Sequence, residues 1–341
     1  MRALELVGFD GPGSLRLGDR PEPAPGPRQV RVRLRASALN HLDVFVTRGL
    51  PKRPLPAILG ADGAGVIDAV GVGVERRRVG DEVVIYPVVS CGACEWCTRR
   101  EEVHCPTFGI LGEHIDGTFQ ESLVVAERSA FTRPQRLSWP EVAALPLSFL
   151  TAWRLLFTRG RLERGDSLVI VGIGGGVALA ALLLGKARGL RVFVTSRDPA
   201  KLERAKMLGA DAAYPSNAFA KPVREATGGA GARAVVDTVG PATFEESFRA
   251  LAREGELLTV GSTSGPKVEL MLPRLFFRHL SLVTSTMGTS REFEAMLADV
   301  ARFHIRPVVD ETYPLAKGAD AFARLEAGEQ FGKIVLEPGS G

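Results

Sequence analysis

The stretch Ser167 to Gly185 holds no charged residue and carries Gly172, Gly174, Gly175 and Gly176 near its middle. An apolar run of this length approaches that of a membrane span, but glycines at its centre suit a buried strand, a tight turn and a buried helix better. Leu168 to Val171 reads as the strand and Val177 to Arg188 as a helix that is apolar all round and so covered on every side. A buried strand passing through glycines into a buried helix begins a βαβ unit, which directs the chain toward α/β architectures. The series continues with a strand at Arg191 to Thr195 and a helix capped by Asp198, opened by Pro199 and ended by Gly209. Further strands are expected at Ala234 to Asp237 and Leu257 to Val260, with a helix around Thr243 to Ala252 between them. From Thr151 onward the sequence therefore predicts a doubly wound parallel sheet.

The first 150 residues read differently. Val30, Val32, Leu34 and Ala36 alternate with Arg31, Arg33 and Arg35, the period of a half-buried strand. Pro21, Pro23, Pro25 and Pro27 mark an extended surface segment before it, since proline is excluded from central strands. Gly60, Gly63, Gly65, Gly71, Gly73 and Gly80 punctuate Val66 to Val70 and Val83 to Ile85, which suggests a small, strongly curved β-structure. With 341 residues the chain is about twice a typical domain, and two domains are expected. Charged residues at 24% and hydrophobic ones at 45% are ordinary for a globular protein. A formal charge of +4, spread among acidic neighbours and without an aromatic-basic platform, argues against nucleic acid as a partner. Glu5, Asp10, Arg16 and Asp19 break up any secretory apolar run, so a cytoplasmic chain with no membrane partner is expected.

All four cysteines lie between Cys91 and Cys105. Cys91, Cys94, Cys97 and Cys105 are spaced C-x2-C-x2-C-x7-C, which lets one loop wrap four thiolates around a tetrahedral ion. A closed four-thiolate shell is that of a structural zinc. Disulfides are disfavoured in a cytoplasmic chain, and an iron-sulfur cluster, suggested by Cys105-Pro106, would have a shorter final spacing. His104 reads as a bystander.

The turn Gly172-Ile-Gly-Gly-Gly-Val-Ala178 gains weight from its place between strand and helix. Gly172, Gly174, Gly175, Gly176 and Val177 would let a dinucleotide pyrophosphate approach the free N–H groups of the helix N-terminus. The spacing is one residue longer than the strict G-x-G-x-x-G. At the end of the second strand, where an acidic residue would hold the ribose of NAD, the chain reads Thr195-Ser196-Arg197. Ser196 can hydrogen-bond a 2′-phosphate, and Arg197 and Lys201 supply positive charge, so NADPH is the expected cofactor.

Together, Gly60-x4-Gly65 continuing through Val70-Gly71 to Gly80-Asp81-x-Val83, the four-cysteine loop and the glycine turn resemble the medium-chain dehydrogenase/reductase superfamily. The resemblance spans nearly the whole chain. Ala38-Leu-Asn-His-Leu-Asp43 and Ser285-Thr-Met-Gly288 look like its zinc-containing alcohol dehydrogenase and quinone oxidoreductase branch. The resemblance implies a GroES-like, β-rich catalytic domain formed by residues 1–150 and 289–341, with zinc loop 91–105, and a Rossmann cofactor domain over 151–288. It also implies a homodimer or homotetramer joined through an edge strand, here Leu280 to Ser285. His41 matches a pyrophosphate contact and Thr151 a threonine near the nicotinamide. Gly240 and Gly261 follow strands where backbone groups meet the cofactor, and Lys333 is a further candidate phosphate contact.

Members with a catalytic zinc carry a Cys, a His with a Glu, and a third ligand where this chain has Asn40, Ala61 with Asp62, and Leu147. An alanine and a leucine cannot bind a metal, and the structural loop takes every cysteine. Without a metal to stabilise an alkoxide, the resemblance points to hydride transfer from NADPH to an acceptor that spreads the charge: a quinone, an enone or an enoyl thioester. Asn40 would donate to the substrate oxygen, Asp43 would orient Asn40 or its backbone, and Tyr86 would line the pocket or give the proton. Alcohol or aldehyde dehydrogenation is the alternative, and a non-enzymatic crystallin-like or RNA-binding role a remote one.

Overall fold

The computed structural model describes residues 1–339, which fall into two units. One comprises Met1–Leu150, Gly288–Ala301 and the chain from Arg306 onward; the other is Thr151–Met287 with Arg302–Ile305.

In the first unit, the long strand Gln29–Ala38 is the organising element. It pairs antiparallel with Asp62–Val70 on one side and with Lys333–Glu337, from the far end of the chain, on the other. Ser122–Ala126 pairs with its first half. Its alternation is as the sequence suggests: Val30, Val32, Leu34 and Ala36 are buried, and with Ile67, Val83, Ile85 and Leu123 they make one core. A second core gathers Leu4, Leu6, Leu59, Phe119 and Phe322 beneath the three-stranded sheet of Leu15–Asp19, Arg2–Leu6 and Ala57–Ile58. The pairing of Ala38 with both Asp62 and Val335 brings three strand ends abreast. Asn40, Asp62 and Lys333 are thereby gathered from positions remote in sequence.

The second unit is a six-stranded parallel sheet in the order Ala212–Pro215, Arg191–Ser196, Ser167–Val171, Ala232–Asp237, Leu251–Thr259, Ser281–Thr284. Leu168 to Val171 and Ala234 to Val236 in the central strands are buried, which is why they read as apolar runs. One boundary differs from expectation. The helix near Thr243 ends at Ala250, and the next strand begins at Leu251, six residues early. Its first half is irregular: the register shifts opposite Ala232–Ala234, and Glu254 takes a left-handed φ of 59°. Charged Arg253, Glu254 and Glu256 mask that half from a strand pattern. Ser281–Thr284 forms the sheet edge. No helix among the described residues is long and apolar enough to cross a membrane.

Candidate active site and metal centre

The four cysteines converge. Sγ separations are 3.8 Å for Cys91–Cys97, 3.6 Å for Cys94–Cys97 and 3.6 Å for Cys91–Cys105. A zinc tetrahedron with Zn–S bonds of ~2.3 Å has an edge of about 3.8 Å, so the thiolates already stand at the spacing the ion needs. Backbone N–H groups of Ala93 and Cys94 point at the Cys91 sulfur. The Thr107 hydroxyl and the Cys91 amide bring the Cys105 thiol down to about 6, which favours the thiolate a metal requires. Behind the loop, buried Glu102 accepts both the backbone N–H (3.0 Å) and hydroxyl (2.6 Å) of Ser290, fixing the loop to the helix Ser290–Arg302.

A second cluster is buried beside the aligned strand ends. The Lys333 ammonium lies 2.5 Å from Asn40 Oδ1, 2.8 Å from Asp62 Oδ2 and 3.4 Å from the Ser148 hydroxyl. The side chains of Lys333 and Asp62 are 5% and 0% exposed. Asp62 also accepts from Asn40 Nδ2 at 3.0 Å and from the Leu147 N–H at 2.7 Å, so its carboxylate is fully engaged. Lys333 is thus not poised at a phosphate as expected; its charge is spent inside this cluster.

Asn40 precedes the short helix His41–Thr47. Its Nδ2 has a second neighbour, Ala38 O at 3.5 Å, at the outer limit of hydrogen bonding. One amide proton therefore has only a weak internal acceptor. Asp43 accepts from the backbone N–H groups of Asn40 (2.7 Å) and Gly60 (3.0 Å). It positions the backbone around Asn40, and burial pushes its carboxyl up to about 7. His41 is held below its ordinary value by the protein packed around it and then by the Lys333 charge, although part of its ring faces solvent.

Tyr86 follows the end of its strand, as the sequence suggests, with its hydroxyl already engaged by the backbone. It is buried, its hydroxyl donates to Gly288 O at 2.7 Å, and its ring packs on Phe293 and Phe131.

In the second unit the glycine turn has the backbone its sequence implies. Gly172 and Gly174 take φ of 77° and 128°, and a side chain on Gly172 would press on Val239. Thr195 braces the turn, its carbonyl accepting from Ile173 N–H at 2.8 Å and its hydroxyl from Gly172 N–H at 3.3 Å. The helix Gly176–Ala187 starts without a side-chain cap, and a Cβ on Gly175 would meet nothing within 4 Å. Free N–H groups beside open space fit a dinucleotide pyrophosphate; Gly176 and Val177 form the first helical turn. Ser196 ends the neighbouring strand, exposed Arg197 follows it, and Lys201 lies on the next helix. Asp198 is occupied as that helix's cap, accepting from Ala200 N–H at 2.8 Å. Thr151 is buried with its hydroxyl 4.0 Å from Met287 Sδ. The Gly240 amide, expected to be open to a cofactor, is held by Asp237 Oδ1 at 3.0 Å, while Gly261 lies close against Thr238.

Residues 26–135 match the family described as alcohol dehydrogenase GroES-like domain, and residues 176–302 match zinc-binding dehydrogenase. The quinone oxidoreductase of Pseudomonas aeruginosa is 31% identical over 99% of both chains. The chain belongs to the medium-chain dehydrogenase/reductase superfamily. Its architecture is accordingly a GroES-like domain with a Rossmann-like domain. A further relative is the acryloyl-coenzyme A reductase of Metallosphaera sedula, 29% identical over 98% of this chain and 99% of its own. The crystal structure of an NAD-dependent alcohol dehydrogenase superposes with a TM-score of 0.96, at 44% identity, over 99% of this chain and all of that one. The superfamily is one of oxidoreductases whose members act on small molecules, and the cysteine cluster of this chain fits a structural zinc.

Sequence reasoning reads Lys333 only as a phosphate contact and Asp62 only at the position of an absent zinc ligand, because nothing local links the two. Ser148 sits between Leu147 and Phe149 on an apolar helix and gave no signal at all.

Proposed function

We propose that the protein transfers a hydride from NADPH to a conjugated acceptor, a quinone, an enone or an enoyl thioester, without a catalytic metal. The observation that carries this reading is the Lys333 ammonium seated between Asn40 and Asp62. These stand where zinc-dependent members carry ligands, and a divalent ion there would face a buried cation on the same oxygens, a strongly repulsive arrangement at low dielectric. The donor set does not fit a catalytic zinc.

Bound at the glycine turn, NADPH would supply the hydride, with Ser196, Arg197 and Lys201 near its 2′-phosphate and Gly172 to Val177 at its pyrophosphate. The weakly satisfied N–H of Asn40 donates to the acceptor oxygen as negative charge develops there. Lys333 on the Asn40 carbonyl polarises that amide and so strengthens the donor, while Asp62 and Asp43 fix its orientation. With that hydride delivered to the β-carbon of an enone, the electron pair would pass to oxygen as an enolate beside Asn40, and water would return a proton to the α-carbon. The similarity to a quinone oxidoreductase and an acryloyl-coenzyme A reductase supports this acceptor class.

A panel of quinones, enones, enoyl thioesters, aldehydes and alcohols assayed with both cofactors tests it. Turnover of conjugated acceptors with NADPH, insensitive to chelators that do not unfold the protein, is expected. Chelator-sensitive alcohol oxidation in folded protein would establish instead the second reading, alcohol dehydrogenation, which the 44% identical structure favours. The exposed Phe276, Phe277, Met271 and Leu282 at the sheet edge support assembly as a homodimer or homotetramer. Four thiols kept free for a metal accord with the cytoplasm.

A further inference from the structure

The second unit holds an open depression of about 840 Å³ that none of the chemistry above uses. Three helices line it: Ala220–Ala226 with Lys221 and Arg224, Phe244–Ala250 with Arg249, and Leu272–Arg278 with Arg274 and Arg278. Arg274 and Arg278 are one turn apart and so share a helix face.

Five cations face this space against two lining carboxylates, Glu225 and Glu246. Arg274 and Arg249 both pair with Glu245, Arg249 also reaches Glu246 at 3.4 Å, and Lys221 lies 3.9 Å from Glu225. Arg224 and Arg278 have no carboxylate within ion-pair distance among the described residues. Both donate instead to the same acceptor, the Leu251 carbonyl, with further bonds to Gly229 O and Phe248 O. These contacts cap the end of the Phe244–Ala250 helix, but neutral carbonyl dipoles do not cancel two guanidinium charges. Burial and then the like charges of Arg224, Arg274 and Arg253 hold the Arg278 guanidinium below its ordinary value. An anion would relieve that crowding.

The arginine-rich end of this depression is separated in the fold from the glycine turn, while Asn217 and Ala218 at its other end follow the strand Ala212–Pro215. Gly229 leads into the strand Ala232–Asp237 and Leu251 opens the next, so the arginine-rich end lies at the amino edge of the sheet. The glycine turn leaves the carboxyl edge of Ser167–Val171.

We propose that the depression between these three helices is a second anion site, built for a small polyphosphorylated molecule held by Arg224, Arg278, Arg249, Arg274 and Lys221. Guanidinium groups match phosphate oxygens bidentately, and several converging on one space favour a ligand carrying more than one phosphate. Free nucleotide and inorganic polyphosphate share this chemistry.

The test is calorimetric titration of inorganic pyrophosphate, and separately of ATP, into the full chain saturated with NADPH, so that the glycine turn is already filled. Saturable binding at one site per chain is expected. Lys221→Glu with Arg249→Glu, neither of which holds backbone or belongs to the cofactor machinery, should weaken it at least tenfold and leave basal turnover unchanged. Glu225→Gln should strengthen it. Tighter ATP than pyrophosphate would assign the nucleotide as source, and the reverse order the inorganic ion. No binding to the NADPH-saturated protein, or binding indifferent to these variants, overturns the proposal.

Discussion

Replacing Lys333 by methionine tests both the buried cluster and the reading of its chemistry. Methionine keeps most of the side-chain volume and removes the charge. It leaves the Asp62 carboxylate, 0% exposed, with only the Leu147 N–H and Asn40 amide for company. Breaking a buried ion pair by removing one partner costs about 3–5 kcal/mol. At roughly 2–4 °C per kcal/mol for a unit of this size, the melting temperature of the first unit should fall by about 6–20 °C. The double variant K333M/D62N removes the orphaned charge while retaining an oxygen for Leu147 N–H, and should recover about 1–3 kcal/mol of the loss. Differential scanning calorimetry reads both. A second readout separates the cluster from a phosphate contact. Losing a charge-assisted hydrogen bond to phosphate would cost about 1.5–3 kcal/mol, roughly a 10- to 150-fold rise in the NADPH dissociation constant. With the ammonium engaged by Asn40 and Asp62, K333M should instead bind NADPH within about twofold of wild type and lose turnover. A K333M protein with unchanged melting temperature and much weaker NADPH binding would refute the reasoning.

Metal analysis of the purified protein should find one zinc per chain in a colourless sample, with zinc removal lowering the melting temperature of the first unit; a brown, iron-containing sample would contradict the assignment. Arg197→Ala should weaken NADPH about tenfold by fluorescence titration and leave NADH unchanged, whereas equal losses would detach Arg197 from the 2′-phosphate. Because burial lifts the Asp43 carboxyl to about 7 from 3.8, the folded chain keeps a proton that the unfolded chain has lost between about pH 4 and 7. That group therefore makes stability decline as pH rises through this window, and urea denaturation of Asp43→Asn should show a flatter profile; equal slopes would remove Asp43 as the cause. Phe277→Arg with Leu282→Arg should reduce the mass seen by light scattering to that of one chain, and an unchanged mass would move the interface elsewhere.

The features legible in the sequence are those built from neighbours. The strand, glycines and helix of the cofactor turn are consecutive, and the cysteine spacing lies within one loop, so local chemistry alone identifies both. The Lys333 cluster is different in kind. Lys333 is 271 residues from Asp62 and 293 from Asn40, and only the register of Gln29–Ala38 against two partner strands joins them. Each residue alone has a plausible local reading, and none of those readings joins the three. Tyr86 shows the same limit: its place at a strand end was readable, but the acceptor of its hydroxyl is 202 residues away. Ser148 needed the assembled fold to become visible at all.

The crossing points between the two units bear on how such a chain can be rebuilt. Leu150, the last residue before the chain leaves the first unit, and Gly288, the first on its return, lie so close that a Cβ on Gly288 would stand 2.4 Å from Leu150 Cδ1. The Tyr86 hydroxyl holds that same Gly288 carbonyl, and Glu102 holds Ser290 just beyond. Departure and return are thus a single seam, fastened from within the first unit. A seam of this kind lets the whole parallel sheet be lifted out and a few flexible residues put in its place, or a foreign domain grafted there, without asking the β-rich unit to redraw its own chain path.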